Sequence, residues 1–322
     1  MSGSAACGAA VKADGYGLGA IEVVRRLAEA GCRDFFVATW AEAEPLLPTL
    51  GGVALSVLHG VAEEDVAQAA ASAARPVLNT PAQVARWREA APGRPCDVMI
   101  DTGMNRLGLS AEDVAGGILD GLDVHTLMSH LACADEDVAM NRAQLDAFRA
   151  VAARAKARHL SLANSAGICL GDGYAFDLTR PGIALYGGIP RPEAEGHIRQ
   201  VVRLAAQIIQ RRRVPAGDVV GYNATYAAER DTELAIVNLG YADGYLRGFS
   251  GTGRARIGDG FALVVGRVSM DLTAICVDAS PGLREGDWIE LDFDLPRASA
   301  QSGLSQYELL TTLGDRHERI WR

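Results

Sequence analysis

A single lysine closes a small apolar run, Ala9-Ala10-Val11-Lys12, and the chain continues as Ala-Asp-Gly-Tyr-Gly-Leu-Gly to Gly19. Such a run entering a glycine-rich stretch reads as a buried strand that delivers an amine into a tight loop. A desolvated lysine has a lowered pKa and can form a Schiff base with a carbonyl cofactor, so one reading is a covalent pyridoxal phosphate site. The other is a strand-end lysine that snorkels to water, and this stretch alone leaves both open. Four further groups stand at short apolar runs: Asp101 to Arg106, His130, Asn164-Ser165, and Arg180 with Gly182 and Ile183. Each has an ordinary structural reading. His130 can be a satisfied core histidine, Asn164-Ser165 can cap a helix, and Arg180 can make a surface ion pair.

The elements that must position these residues are legible as an alternation. Short apolar runs occur at Cys7 to Val11, Phe35 to Ala38, Val53 to Leu58, Val77 to Leu78, Asp97 to Ile100, Thr126 to His130, Leu160 to Ala163 and Ile183 to Tyr186. Amphipathic, alanine-rich stretches lie between them, with stripes such as Ile21, Val24, Leu27 and Ala28, or Val66, Ala70 and Ala73. Eight strands alternating with helices predict an α/β fold, a (β/α)8 TIM-type barrel over residues 1–199. In that fold the active site lies at the carboxyl ends of the strands, and phosphate often sits in the loops after the last two. Lys12, Asp101 to Arg106, His130 and Asn164-Ser165 fall at such ends, and Arg180, Gly182 and Ile183 stand at the eighth run. Beyond Gly188 the pattern changes, and Leu234 to Leu239, Phe261 to Val268, Thr273 to Val277 and Trp288 to Leu291 predict a smaller, mostly-β domain over residues 200–322.

Composition narrows the function. The 322 residues are 49% hydrophobic and 22% charged, ample for a core, and the net charge is −9. That balance disfavours a nucleic-acid or anionic-membrane surface. The one dense basic run, Arg211-Arg212-Arg213, reads as a solvated helix end. Six scattered cysteines without a C-x-x-C pair disfavour a zinc ribbon or a redox motif and look like small buried residues in a reducing compartment. No metal is expected. The amino terminus has no basic segment leading into a long apolar core, and no run of 18 apolar residues occurs, so a cytoplasmic protein is expected.

Eight pieces in order carry a resemblance: Ala-Val-Lys-Ala-Asp-Gly-Tyr-Gly from Ala10, Asp-Thr-Gly-Met-Asn-Arg-Leu-Gly from Asp101, Ser-His-Leu-Ala-Cys-Ala-Asp-Glu from Ser129, Ala-Asn-Ser-Ala from Ala163, Arg-Pro-Gly-Ile-Ala-Leu-Tyr-Gly from Arg180, Val-Gly-Tyr-Asn-Ala-Thr-Tyr from Val220, Gly-Tyr-Ala-Asp-Gly from Gly240 and Gly-Arg-Val-Ser-Met-Asp from Gly266. Together they resemble the alanine racemase family of fold-type III pyridoxal phosphate enzymes. The resemblance implies a homodimer whose active sites borrow residues from the partner, with pyridoxal 5'-phosphate on Lys12. Tyr16, Asn164, Ser165, Gly182 and Ile183 would hold the cofactor, Arg180 would face its pyridine nitrogen, and His130 would lie beside Arg180. Tyr222 would be the second base, reaching in from the other subunit through a chain to His130 and Arg180. Arg106 and the Met270 N–H would bind the substrate carboxylate, Tyr241 would narrow the pocket, and Asp271 would orient the loop beside Met270. Tyr186 reads as a pocket wall or, better, as a core tyrosine.

Inversion of a stereocentre needs a proton acceptor and donor on each face, which Lys12 and Tyr222 would supply. Racemisation of serine or of a longer amino acid would keep the same residues and change only pocket volume. A carrier of the cofactor would lack a β domain with Tyr222, a decarboxylase would want an acid in place of Arg180, and a non-catalytic paralogue would keep the cofactor alone. Three departures from the family pattern carry expectations. Met99 stands where a carbamylated lysine commonly steadies the arginine, so Arg106 is expected to take a bound ion or a nearby carboxylate. Asp315 replaces a phosphate-binding tyrosine, and is expected to turn away or to weaken cofactor binding. Eleven residues precede Lys12, where relatives carry an additional helix and strand, so a lower melting temperature than that of an extended form is expected.

Overall fold

A computed structural model describes all 322 residues. The chain forms two compact units, Met1–Leu185 with Pro190–His197, and Tyr186–Ile189 with Ile198–Arg322. In the first unit, β1 (Ala6–Cys7), β2 (Ala9–Ala10), β3 (Asp34–Val37), β4 (Ala54–Val57), β5 (Arg75–Leu78), β6 (Pro95–Met99), β7 (Asp123–Met128), β8 (His159–Ser161) and β9 (Leu178–Thr179) are the strands. A seven-stranded parallel sheet runs in the order β2 to β8. Phe35, Phe36, Val37, Val77, Leu78, Val98, Leu127 and Met128 are buried, as strands covered on both faces must be. Apart from the buried Ser56, Asp97, Thr126 and Ser161, this apolarity is what made the runs visible in the sequence.

The eighth position corrects the sequence reading. Ile183–Tyr186 is a 3-10 turn, not a strand. The ring is completed by β9, which pairs in parallel with β1. The Asp177 and Arg180 N–H groups donate to the Leu160 and Ala163 carbonyls at 3.1 and 2.8 Å, and Gly8 and Ala10 donate to Thr179 and Pro181 at 2.9 Å each. Gly8 splits the first strand where a Cβ would meet the Asp34 carbonyl and the Phe36 ring, both at 3.0 Å. Inside the barrel Phe36, Val77, Met99, Met128 and Leu178 form one apolar cluster. The helical stripes also shift: helix Ala20–Glu29 buries Val23 and Val24 and exposes Ile21, and helix Val66–Ala71 buries Ala69 and ends before Ala73. Of the cysteines, Cys96 is buried and Cys7 exposed.

In the second unit β10 (Leu204–Val214), β11 (Val219–Val220), β12 (Tyr226–Ala227), β13 (Thr232–Val237), β14 (Arg254–Ile257), β15 (Gly260–Val265), β16 (Thr273–Cys276) and β17 (Trp288–Leu291) are the strands. Six of them close an antiparallel barrel in the order β10-β13-β16-β15-β14-β17, and β11 with β12 makes a separate ribbon. The three arginines 211 to 213 lie in β10, not at a helix end. Arg211 pairs with Glu233 at 3.3 Å and Arg213 with Asp231 at 2.7 Å, while Arg212 points to the other side as the period of two requires. No helix is long and apolar enough to cross a membrane.

Candidate active site

Lys12 follows β2 and opens a turn whose backbone is left-handed: φ is 52° at Ala13 and Asp14, 62° at Gly15, 56° at Tyr16 and 81° at Gly17. Left-handed conformations cost L-residues about 1–2 kcal/mol each, so the three non-glycine residues of this turn, Ala13, Asp14 and Tyr16, must be held from outside. They are. Gly15 and Gly17 donate to the Val11 and Ala13 carbonyls at 2.8 Å. The Asp14 carboxylate accepts from Ala20 N–H at 2.8 Å, and Glu42 accepts from Ala13 N–H at 2.8 Å with one oxygen and from Ala38 N–H at 2.7 Å with the other. Glu42 is the third residue of a capping box begun by Thr39. Replacing Glu42 by Ala is expected to lower stability by about 1.5–3 kcal/mol, since charge-assisted bonds to two amides are lost. A fall in the urea midpoint with an unchanged slope would show it, and an unchanged midpoint would contradict it.

The amine of Lys12 opens to solvent, yet its walls and the nearby positive charge hold its pKa below that of a free lysine. Loss of hydration is the main cause, the Arg106 guanidinium adds to it, and Glu42 opposes it. Tyr16 is buried, and a Cβ on Gly182 would collide with its hydroxyl. Gly182 N–H donates to Ser165 Oγ at 2.8 Å and Ala184 N–H to the same oxygen at 3.3 Å. Tyr16, Ser165, Gly182 and the buried Ile183 thus meet where the 3-10 turn begins. Asn164 does what a cap does, accepting from Gly167 N–H at 2.8 Å.

Arg180 is buried and makes no ion pair, which rules out the surface-pair reading. Its guanidinium donates to Ser161 Oγ and to the Ser129 carbonyl, each at 2.5 Å. Burial lowers its pKa to about 10, with the buried Asp97 carboxylate opposing, so it stays charged at neutral pH. His130 is pushed to about 3 by desolvation first and then by Arg180, Arg106 and Lys12, which keeps it neutral through the physiological range. Arg180 therefore acts on the His130 ring through its charge, while its bonds go to Ser129 and Ser161. Arg106 is exposed and has no carboxylate partner, so the expected nearby carboxylate is not found. Met99 is packed in the apolar cluster instead of making an ion site.

The second unit holds its own group. Tyr222 is 68% exposed, in the turn joining β11 to β12, with Asn223 at φ 63°. It borders a groove of about 790 Å³ whose lining includes Arg212, Arg213, Val219, Arg267 and Leu272. Tyr241 N–H donates to the Ser269 carbonyl and Ala242 N–H to that of Met270, both at 3.0 Å, so these two predicted residues come from bonded loops. Arg316 ties Asp271 at 2.7 Å to Asp243 at 3.1 Å. Asp315 is exposed and Tyr186 is buried.

The sequence reading did not single out Glu42, Thr102, Ser129, Gln144 or Ser161. Glu42 had a local signal, the Thr-x-x-Glu pattern of a capping box. Gln144 had another, a polar residue on the buried face with Leu145, Phe148 and Val151.

A strand-end lysine of lowered pKa, a hydroxyl-and-amide cradle at the neighbouring strand ends and a following antiparallel barrel define the fold-type III class of pyridoxal phosphate enzymes. The alanine racemase N-terminal domain matches residues 1–190 and the alanine racemase C-terminal domain residues 201–321. The chain belongs to the alanine racemase family. It is 44% identical to alanine racemase of Acidiphilium cryptum, over 96% of this chain and 90% of that one, and 42% identical to the catabolic alanine racemase of Agrobacterium fabrum, over 100% and 87%. A crystal structure of alanine racemase from Bartonella henselae with covalently bound pyridoxal phosphate superposes with a TM-score of 0.91 at 34% identity, over 99% of this chain and 93% of that one.

Proposed function

We propose that this chain is a cytoplasmic, homodimeric isomerase that interconverts L- and D-alanine with pyridoxal 5'-phosphate, supplying D-alanine for peptidoglycan. The observation that carries the reading is the cluster of Tyr16, Ser165 and Gly182 on the same barrel face as a lysine whose pKa is held down. The cradle fits the cofactor: two hydroxyls and the amides opening a 3-10 turn suit a phosphate, and at Gly182 a side chain would close the space.

Lys12 would hold the cofactor, with Tyr16, Ser165, Gly182 and Ile183 on its phosphate and Asn164 shaping the loop beside it. When bound, pyridoxal phosphate supplies the electron-accepting ring that makes a substrate Cα proton removable. Arg180 would present a permanent donor to the ring nitrogen without giving up its proton, which tempers the electron sink and disfavours transamination. Arg106 and the Met270 N–H would hold the substrate carboxylate, and Tyr241 would limit the side chain to a methyl group. Lys12 would take or return the proton on one face and Tyr222 of a second copy on the other. A neutral His130 beside Arg180 would give Tyr222 a nearby hydrogen-bond partner. The exposure of Tyr222 on an arginine-lined groove supports covering by another subunit, since the chain as a whole is acidic.

A D-amino-acid-oxidase-coupled assay over a panel of L-amino acids, with visible spectra before and after borohydride, tests the reading. Alanine should be preferred, and absence of cofactor absorbance would overturn the assignment. Tyr222→Phe should retain that absorbance and lower racemisation by roughly 10²–10⁴-fold. In D2O the variant should still exchange the α-proton of one enantiomer, through Lys12 alone. Equal loss of exchange for both enantiomers would contradict the two-base assignment.

A further inference from the structure

Gln144 is fully buried on helix Ala139–Ala152, within the apolar stripe that packs on the barrel. Its amide oxygen and both of its amide hydrogens bond to loops at the barrel mouth. Oε1 accepts from Ala132 N–H at 2.8 Å, and Nε2 donates to the His130 carbonyl at 3.0 Å and to Thr102 Oγ1 at 3.2 Å. Thr102 Oγ1 in turn lies 2.8 Å from Ser129 Oγ, and the Ser129 carbonyl accepts from Arg180. Asp101, next to Thr102, accepts from Gly103 and Asn105 N–H at 2.8 and 3.1 Å and so shapes the loop that ends at Arg106. A leucine would fill the same volume on this stripe more cheaply, because a buried amide costs free energy unless all its bonds are made.

We propose that Gln144 is a positioning residue for racemisation: one carboxamide fastens the loop after β7, which carries His130, to the loop after β6, which carries Arg106. The inference rests on the function proposed above for those two residues. Because the amide grips the loop on both sides of Leu131, through the His130 carbonyl and the Ala132 N–H, it fixes the direction of the His130 side chain. Through Thr102 it holds the Arg106 loop in register with the first. Positioning errors near 1 Å cost about 10²-fold in rate.

Three variants test it. Gln144→Leu should lower kcat roughly 10–100-fold and raise KM for alanine. Thr102→Val cuts only the tie between loops, and should raise KM more than it lowers kcat. NMR titration of the His130 ring should show its pKa moving away from about 3 in Gln144→Leu, as the released ring shifts relative to Arg180, and staying put in Thr102→Val. Gln144→Glu keeps the acceptor for Ala132 but sets a carboxylate against the His130 carbonyl. It should retain part of its activity at low pH, where the protonated acid still donates one bond, to the His130 carbonyl or to Thr102, and lose activity as pH rises, a limb the parent enzyme lacks. If Gln144→Leu fails to fold, this limb decides. Unchanged kcat, KM and His130 titration in Gln144→Leu, with only the melting temperature lowered, would overturn the proposal, as would a Gln144→Glu profile parallel to the parent's. If the parent enzyme racemises no amino acid, the function proposed above fails. The His130 titration and Ala132 amide exchange still report on the tie itself.

Discussion

Lys12→Ala is expected to abolish covalent retention of pyridoxal phosphate and to lower racemisation at least about 10⁴-fold, while leaving the fold intact. The two effects separate because of where the lysine stands. Its side chain is exposed and makes no hydrogen bond, so its removal disturbs no packing, and stability should change by no more than about 0.5 kcal/mol. The left-handed turn that follows is held through Ala13, Asp14, Gly15 and Gly17, none of which depends on the lysine amine. Intact-protein mass after borohydride should show the added cofactor on the parent chain and not on the variant, and thermal melting of the cofactor-free forms should coincide. A variant that retained the mass would place the attachment elsewhere.

Replacing Arg180 by Ala should damage both stability and function. The guanidinium satisfies a buried carbonyl and a buried hydroxyl, and its loss leaves both without that donor, with a cavity in the barrel beside them. By mechanism this belongs among the larger single-residue costs, about 3 kcal/mol. Function should fall by at least about 10²-fold, through the lost donor at the cofactor ring and through movement of the Ser129–Leu131 loop. The electrostatic sign is also fixed. Arg180 is the strongest of three cations that depress His130, so its removal should raise the His130 pKa from about 3, although desolvation remains. Arg180→Lys should keep the charge and reach only one of the two acceptors, giving an intermediate melting temperature and a His130 titration near that of the parent. A His130 pKa that fell, or a melting temperature equal to that of the parent, would contradict this account.

The barrel was legible because most of its strand residues are apolar on both faces, a pattern that survives in sequence as Phe35-Phe36-Val37 or Leu127-Met128. Its last position was not. Leu178–Thr179 is two residues long and polar at one of them, whereas the more apolar Ile183–Tyr186 runs into a 3-10 turn, and short apolar runs do not distinguish the two. The arginine triplet misled for a related reason. What makes it a strand is Asp231 and Glu233 across the sheet, and cross-strand partners leave no local trace. Among site residues, Lys12, Tyr16, Ser165 and Gly182 stood out by type and spacing, and the structure brings the last three together. Glu42 and Gln144 did not, because a capping-box pattern or one polar residue on a helix face does not say which distant backbone N–H the side chain also binds. Met99 shows what a substitution can hide: the sequence announced a missing charge, and only the fold shows apolar side chains filling the space.

Ring closure through Leu178 and Thr179 has a consequence for synthesis. The first strand leaves the ribosome about 170 residues ahead of the one it pairs with, a wait on the order of ten seconds or more at ordinary elongation rates. Through that interval the open sheet offers unpaired backbone at both ends, the kind of edge that chaperones shield and that stray chains can join. Lys12 is thus translated about 170 residues ahead of the stretch that supplies Arg180 and Gly182, which emerges only as the ring shuts. Cofactor capture should accordingly follow translation of the whole barrel, and nascent chains stalled before Pro181 should remain protease-sensitive.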